Sequence, residues 1–168
     1  MSHFEKVSFE QWKADCGVKG LPESGLREWY DAIKLPKQAT AASAGCDFFM
    51  PFSLNFEGGS CFKIATGVRW VCSHDGSDRS KVLLVMPRSG LGFKYGIKLS
   101  NTVGVIDADY SDSDNEGHII ISMVNPSDKT VMLEEGKPFA QGIVVRYEVP
   151  EGAESDSSRN GGFGSTDS

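Results

Sequence analysis

Five short stretches of this 168-residue chain hold the side chains with chemistry in them. Ala44-Gly45-Cys46-Asp47 sets one carboxylate beside a glycine, and Pro87-Arg88-Ser89-Gly90 sets a cation and a hydroxyl on a turn, which suits contact with a phosphate oxygen. The stretch NTVGVIDADY, Asn101 to Tyr110, reads as a hairpin with Asp107 and an aromatic at its end. Phe139-Ala140-Gln141 opens a strand with a single amide, and RNGGFGST, Arg159 to Thr166, places an arginine, an aromatic and two hydroxyls in a glycine-rich run. Read one at a time, these are structural features. Asp47 is then a loop carboxylate, Asp107 the cap of a turn, Tyr110 a strand-end aromatic in the core, and the glycine-rich run a disordered tail.

The elements that must position these residues change character along the chain. Residues 1–35 read as a helical extension. Ser8-Phe9-Glu10-Gln11 is a capping-box pattern with Val7 and Trp12 placed as a staple, and Gly17 stops the helix. A second helix puts Leu26, Trp29, Tyr30 and Ile33 on one apolar stripe, ended by Pro36. The extension is expected to dock on the main body or on a neighbouring subunit. From about Ala44 the period becomes that of strands, with expected strands at 61–66, 81–86, 102–106, 118–124, 130–133 and 139–149. Strands this short and frequent, with no helices between them, point to an all-β sandwich, barrel or jelly roll over residues 36–149. From Pro150 the chain turns acidic and serine-rich, so residues 150–168 are expected to be a mobile arm.

Composition narrows the function classes. A net charge of −6 argues against a nucleic-acid-binding surface, so an anionic ligand needs local cations, a metal or backbone N–H groups. The four cysteines form no CxxC pair, and His3, His74 and His118 share no metal-site spacing. No apolar run approaches the roughly 20 residues that a membrane helix needs. The chain therefore reads as a cytoplasmic protein (host cytoplasm if viral) without a membrane or nucleic-acid partner.

In this order and at these intervals the five stretches resemble the motifs of the trimeric dUTP pyrophosphatase family. The resemblance covers roughly residues 34–168 and is closest over 87–110 and 159–166. It implies a jelly-roll (β-clip) subunit in a homotrimer that hydrolyses dUTP to dUMP and pyrophosphate with Mg2+. Three sites would lie between subunits. One subunit would supply Asp47, Arg88, Ser89, Gly90 and Gln141, a second the Asn101–Tyr110 hairpin, and a third the closing arm. In these terms Asp107 activates the attacking water, Gln141 holds that water or an α-phosphate oxygen, and Asp47 meets the metal through water. Asn101, Gly104, Val105 and Ile106 read the uracil edge, with Tyr110 against the deoxyribose to exclude a 2′-hydroxyl. From the arm, Phe163 stacks on uracil, Arg159, Ser165 and Thr166 grip the γ-phosphate, and the N–H groups of Gly161, Gly162 and Gly164 form an anion nest. Asp109, two residues past Asp107, is expected on the opposite side of a strand in a structural role.

The chain departs from the family pattern in places. Cys46 stands where a bulkier residue is common, and Lys137-Pro138 replaces an Asp-Arg pair. The acidic connection from Ser111 to Glu116 is longer than the usual turn and is expected to be a solvated loop. The arm lacks one residue between Arg159 and Gly161, and Asp167 stands where glycine is usual. Two rival readings remain at this point. A dCTP deaminase would want a glutamate base near the hairpin and no arm. A nucleotide-gated regulator would present the N-terminal helices, or the Asp112–Glu116 loop, to a protein partner.

Overall fold

Apolar side chains alternating with polar ones produce the strands. A computed structural model of the chain describes residues 1–73, 80–155 and 157. In chain order the elements are β1 (His3–Lys6), α1 (Phe9–Asp15), α2 (Glu23–Ala32), β2 (Lys37–Gln38), β3 (Cys46–Phe49), β4 (Leu54–Phe56), β5 (Cys61–Ala65) and β6 (Val68–Val71). There follow β7 (Lys81–Pro87), α3 (Ser89–Tyr95), β8 (Lys98–Leu99), β9 (Gly104–Ile106), a 3-10 turn at Tyr110–Asp112, β10 (Ile120–Val124), β11 (Val131–Leu133) and β12 (Pro138–Arg146). The fold is all-β. Every strand pairing among the described residues is antiparallel, in sheets ordered β2-β3-β12-β7-β9, β5-β10-β8, β1-β6 and β4-β11. No helix among them is long and apolar enough to cross a membrane.

Hydrophobic burial joins the sheets around Phe48, Phe56, Ile64, Trp70, Leu83, Ile97, Ile119, Met123 and Phe139, all almost fully buried. Five strands that the local sequence did not reveal, β2, β3, β4, β6 and β8, belong to this body. One expectation is corrected outright: a helix does stand between strands. Pro87 ends β7, the extended Arg88 offers its carbonyl to the N–H groups of Leu91 and Gly92, and the chain winds into α3 until Gly96 turns left-handed at φ 68°. Because α3 buries none of its residues, no apolar stripe announces it.

Residues 1–35 are built into the same body. Both helices form as read, but a strand precedes them. β1 pairs with β6, where Glu5 lies directly opposite Arg69 and accepts from its guanidinium at 2.8 and 3.0 Å. Trp12, fully buried, donates its indole N–H to the Ala65 carbonyl at 3.0 Å, and Leu26 and Ile33 are 7% and 8% exposed. The Lys6 ammonium caps the C-terminal carbonyls of Tyr30 and Asp31, where α2 has no basic residue of its own. Gly67 lets the helices close: at φ +72° it turns between β5 and β6, and a Cβ there would stand 2.3 Å from Ile33 Cδ1. The apolar stripe of α2 is thus covered by the chain itself.

The Ser111–Glu116 connection is not a purely solvated loop. The Glu116 carboxylate accepts from both the N–H and the hydroxyl of Ser8, at 2.7 and 2.6 Å. The following His118 is fully buried, and its ring lies between the Gly67 N–H, at 2.8 Å from Nε2, and Asp15, at 2.6 Å from Nδ1. Since the Gly67 N–H can only donate, Nε2 must accept, which puts the proton of the neutral ring on Nδ1, facing Asp15. Burial pushes the His118 pKa below its ordinary 6.5, against the opposing pull of Asp15. A histidine depressed on folding binds fewer protons folded than unfolded, so its contribution is complete above about pH 6.5 and is lost as the pH falls below it. We therefore expect the melting temperature to fall as the pH is lowered from about 8 to about 5, starting near 6.5. His118→Gln, less stable at the upper end, should flatten that part of the curve, as differential scanning calorimetry of both proteins will read.

Candidate active site

The central sheet brings three of the five stretches together. β3 pairs with β12 so that Asp47 lies opposite Gln141, and β12 pairs with β7 so that Gln141 lies opposite Met86, two residues before Arg88. The Arg88 guanidinium reaches across to Asp47, Nη1 to Oδ2 at 2.5 Å. Asp47 is therefore no loop carboxylate: it sits on a strand, 7% exposed, with an arginine for a partner. Ser89 and Gly90, exposed on the first turn of α3, follow directly.

Sequence reasoning quoted Gly45 but gave it no task, and the structure supplies one. A Cβ at position 45 would stand 3.0 Å from Gln141 Oε1 and 3.5 Å from Ile143 Cγ1. The bare glycine leaves the room in which the Gln141 amide lies. No spacing rule shows this, because the neighbour is nearly a hundred residues away in sequence.

The hairpin stretch builds a second feature on the same sheet. Leu99, Asn101, Gly104, Val105 and Ile106 line a cavity of about 400 Å³, whose other wall comes from β10 and Lys63. Its lining is mostly apolar, with Ser100, Asn101, Ser122 and Lys63 as polar groups, the usual constitution of a small-molecule site. Gly104 is buried, and a Cβ there would crowd Val85 at 3.3 Å, so its close approach is to β7. Thr102, at the tip, adopts φ 67°, a left-handed conformation uncommon for a β-branched residue.

Asp107 and Tyr110 lie where strand reading did not place them. β9 ends at Ile106, so the chain past it is a turn, and the side-alternation argument for Asp109 does not apply; Asp109 precedes the 3-10 turn instead. Asp107 is exposed, and its carbonyl accepts the N–H of Tyr110. Tyr110 is 5% exposed, donates its hydroxyl to the His118 carbonyl at 3.1 Å, and is not among the cavity's walls.

Register also fixes what a single chain keeps apart. Ile106 pairs with Leu83 on one edge of β7 and β9 ends there, whereas Gln141 lies level with Met86 on the other edge, three residues or about 10 Å further along, with Asp47 one strand beyond it. The chain leaves β9 towards Asp107 in the direction away from Met86, so Asp107 and the Asp47–Arg88–Gln141 cluster lie off opposite edges of β7. That cluster shares its sheet face with Leu84, Met86, Ile143 and Val145, all half-buried, and with Val105, 59% exposed. The polar cluster thus borders an apolar sheet face that the described residues leave partly uncovered. Arg159, Gly162, Phe163, Gly164, Ser165 and Thr166, with Gly161, lie outside the described residues.

Comparison with known proteins bears on the same stretches. The dUTPase family model matches residues 31–167. A deoxyuridine 5'-triphosphate nucleotidohydrolase of Lactococcus lactis is 37% identical over 137 residues, 80% of this chain and 88% of the relative. One from Acinetobacter baumannii is 36% identical over 156 residues, covering 89% and 95%. The crystal structure of a dUTPase from Streptococcus mutans superposes with a TM-score of 0.64 at 31% identity, covering 89% of this chain and 98% of that one. A Staphylococcus bacteriophage 80alpha dUTPase, at 16% identity and a TM-score of 0.63, shares the fold.

The pairing of Arg88 with a mostly buried carboxylate predicts coupling between the two. Removing the cation by Arg88→Met should cost about 1–3 kcal/mol, because it leaves Asp47 desolvated without its donor. Adding Asp47→Asn to that variant should recover part of the loss. A double-mutant cycle in urea should give a favourable coupling of about 1 kcal/mol or more.

Proposed function

The chain belongs to the dUTPase family, and from that premise we propose that it hydrolyses dUTP to dUMP and pyrophosphate at sites shared between subunits of a homotrimer. The observation that supports the shared site is the register of β7: Asp107 follows β9 on one edge of β7, whereas Gln141 and Asp47 lie beyond its other edge and about 10 Å further along than Ile106, a separation that a second copy would bridge. The apolar sheet face beside the cluster is where that copy docks, in the closed symmetry common to homo-oligomers. Such an enzyme limits uracil incorporation into DNA and supplies dUMP for thymidylate synthesis, a role suited to the cytoplasm.

The chemistry follows from the groups. The cavity at Asn101, Gly104, Val105 and Ile106 takes the uracil ring, apolar on its faces and hydrogen-bonded at its edge. Arg88 and Ser89 contact the phosphates, with Gly90 letting them pass close to α3. Asp107 takes a proton from water as the water oxygen attacks the α-phosphorus in line. The bond from that phosphorus to the bridging oxygen breaks, and pyrophosphate departs with the electron pair. Gln141 holds the water or an α-phosphate oxygen. Tyr110, at the start of the 3-10 turn, backs the deoxyribose. Arg159, Gly162, Phe163, Gly164, Ser165 and Thr166 close the site from a third subunit, a role that rests on the RNGGFGST motif alone.

A divalent metal fits this site in one way only. Among the described residues no group of three or more His, Cys, Asp or Glu side chains is placed to hold an ion, and one oxygen of Asp47 already faces an arginine. That donor set suits Mg2+, which keeps its waters and is held mainly by substrate phosphates, with Asp47 touching it through water. Bound so, the ion neutralises charge on the triphosphate. The alternative of a partner-binding regulator gains no support from the N-terminal helices, whose apolar stripe is spent inside the chain.

The test is pyrophosphate release from dUTP with Mg2+, beside dTTP, dCTP and UTP. Release from dUTP at a rate far above the other three is expected. Asp107→Asn should lower kcat by about 10²–10⁴-fold while dUTP binding, read by calorimetry, persists. Equal turnover of dCTP, or an Asp107→Asn variant as fast as the parent, would sink the reading.

A further inference from the structure

α1 is tied to the turn that carries Asp107 and Tyr110 at two points. At its start, Ser8 accepts the Gln11 N–H with its hydroxyl oxygen, at 3.1 Å, while its own N–H and hydroxyl donate to Glu116. Glu116 thereby takes the place that the glutamine of a reciprocal capping box would fill, and Gln11 instead donates to Asp15 at 2.8 Å. At the end of α1, the Asp15 carboxylate accepts a hydrogen bond from the His118 Nδ1–H. Ser8 holds the Glu116 carboxyl below the usual carboxylate range, so the grip is that of an ionised group.

Of the two gripped residues, His118 bonds Tyr110 directly. The His118 carbonyl accepts from the Tyr110 hydroxyl at 3.1 Å and from Asn115 Nδ2 at 3.3 Å, and Asn115 Nδ2 also donates to the Tyr110 oxygen at 3.0 Å. Between them the backbone folds sharply. Glu116 and Gly117 both adopt positive φ, 58° and 70°, and a Cβ on Gly117 would meet Ser111 Cα at 2.6 Å and the Tyr110 carbonyl at 2.8 Å. Held by Ser8 from outside, Glu116 keeps a conformation that a glutamate alone seldom takes. Tyr110 N–H in turn bonds the Asp107 carbonyl. An unbroken set of hydrogen bonds therefore runs from α1 through Glu116 and His118 to the turn bearing the base and the sugar platform.

We propose that α1 is a positioning element of the reaction, and that Glu116, His118 and Asp15 set how sharply the sugar is read by fixing Tyr110 and Asp107 from behind. None of the three touches substrate. They act through the turn, and the inference rests on the proposed roles of Asp107 and Tyr110.

The experiment compares full-length Glu116→Gln, Asp15→Asn, Tyr110→Ala and Leu26→Ala proteins. Leu26 is buried in α2, outside the Ser8–Glu116 and Asp15–His118 contacts, and serves as a control for loss of stability. For each, the melting temperature and the kcat and KM for dUTP and UTP are measured. Glu116→Gln and Asp15→Asn are expected to narrow the dUTP-to-UTP ratio of kcat/KM by about three- to tenfold. Leu26→Ala should leave that ratio at the parental value even where its melting temperature falls as far. The proposal is overturned if Glu116→Gln and Asp15→Asn keep the parental ratio, or if Leu26→Ala narrows it equally. Tyr110→Ala separates the two levels. A changed ratio there with unchanged ratios in the two brace variants rejects the brace alone, whereas an unchanged ratio in Tyr110→Ala rejects the sugar-platform reading beneath it.

Discussion

Antiparallel pairing of β7 with β12 on one side and β9 on the other fixes most of what this chain can do. Seven consecutive residue pairs join β12 to β7 from Ala140–Pro87 to Arg146–Lys81, so neither strand can slip without turning Leu83 and Val85 out of the core. That register is what carries Asp47, Gln141 and Arg88 into one cluster from positions far apart in sequence. The same register sends Asp107 to the opposite end of β7. The sheet is a spacer as well as a scaffold, holding Asp107 away from the Asp47–Arg88–Gln141 cluster of its own chain.

The N-terminal segment solves a different problem. Asp107 and Tyr110 sit on a turn beyond the end of β9, where no ladder holds them, and turns are the least constrained parts of a fold. Here the turn is backed by Glu116 and His118, which are in turn fastened to α1. α1 is fixed by Trp12, one of the most deeply buried side chains among the described residues, and Gly67 provides the space in which Trp12 and Ile33 close on the β5–β6 turn. The helices that look like an appendage in sequence are the rear wall of the hairpin end.

What the sequence disclosed depended on the range of the interaction. The stripe Leu26–Trp29–Tyr30–Ile33 and the alternation at 61–65 are local, and both produce the elements read from them. The resemblance carried by the order of the five motifs holds as well, since the dUTPase family model matches residues 31–167. β1 was not legible: four residues gain their strand from pairing with β6 and from Glu5 meeting Arg69, a partner 64 residues away. α3 carries no apolar stripe, so nothing in its periodicity sets it apart from the turn read at Pro87-Arg88-Ser89-Gly90. The roles of Gly45 and His118 are non-local in the same sense, since the first is defined by Gln141 and the second by Gly67 and Asp15. The burial of Asp47 was illegible, because Arg88 reaches it only after the sheet has formed.

In the proposed trimer each site takes Asp107 from one subunit and the Asp47–Arg88–Gln141 cluster from another. It is tested by mixing two variants that are each inactive alone, Asp107→Asn and Gln141→Ala, after joint unfolding and refolding. Random assembly into trimers would pair an intact Asp107 with an intact cluster in about a quarter of the sites, so dUTP hydrolysis should return to about a quarter of the parental rate. A mixture with no more activity than the two variants measured separately would show that each site is built within one chain, and would contradict the account.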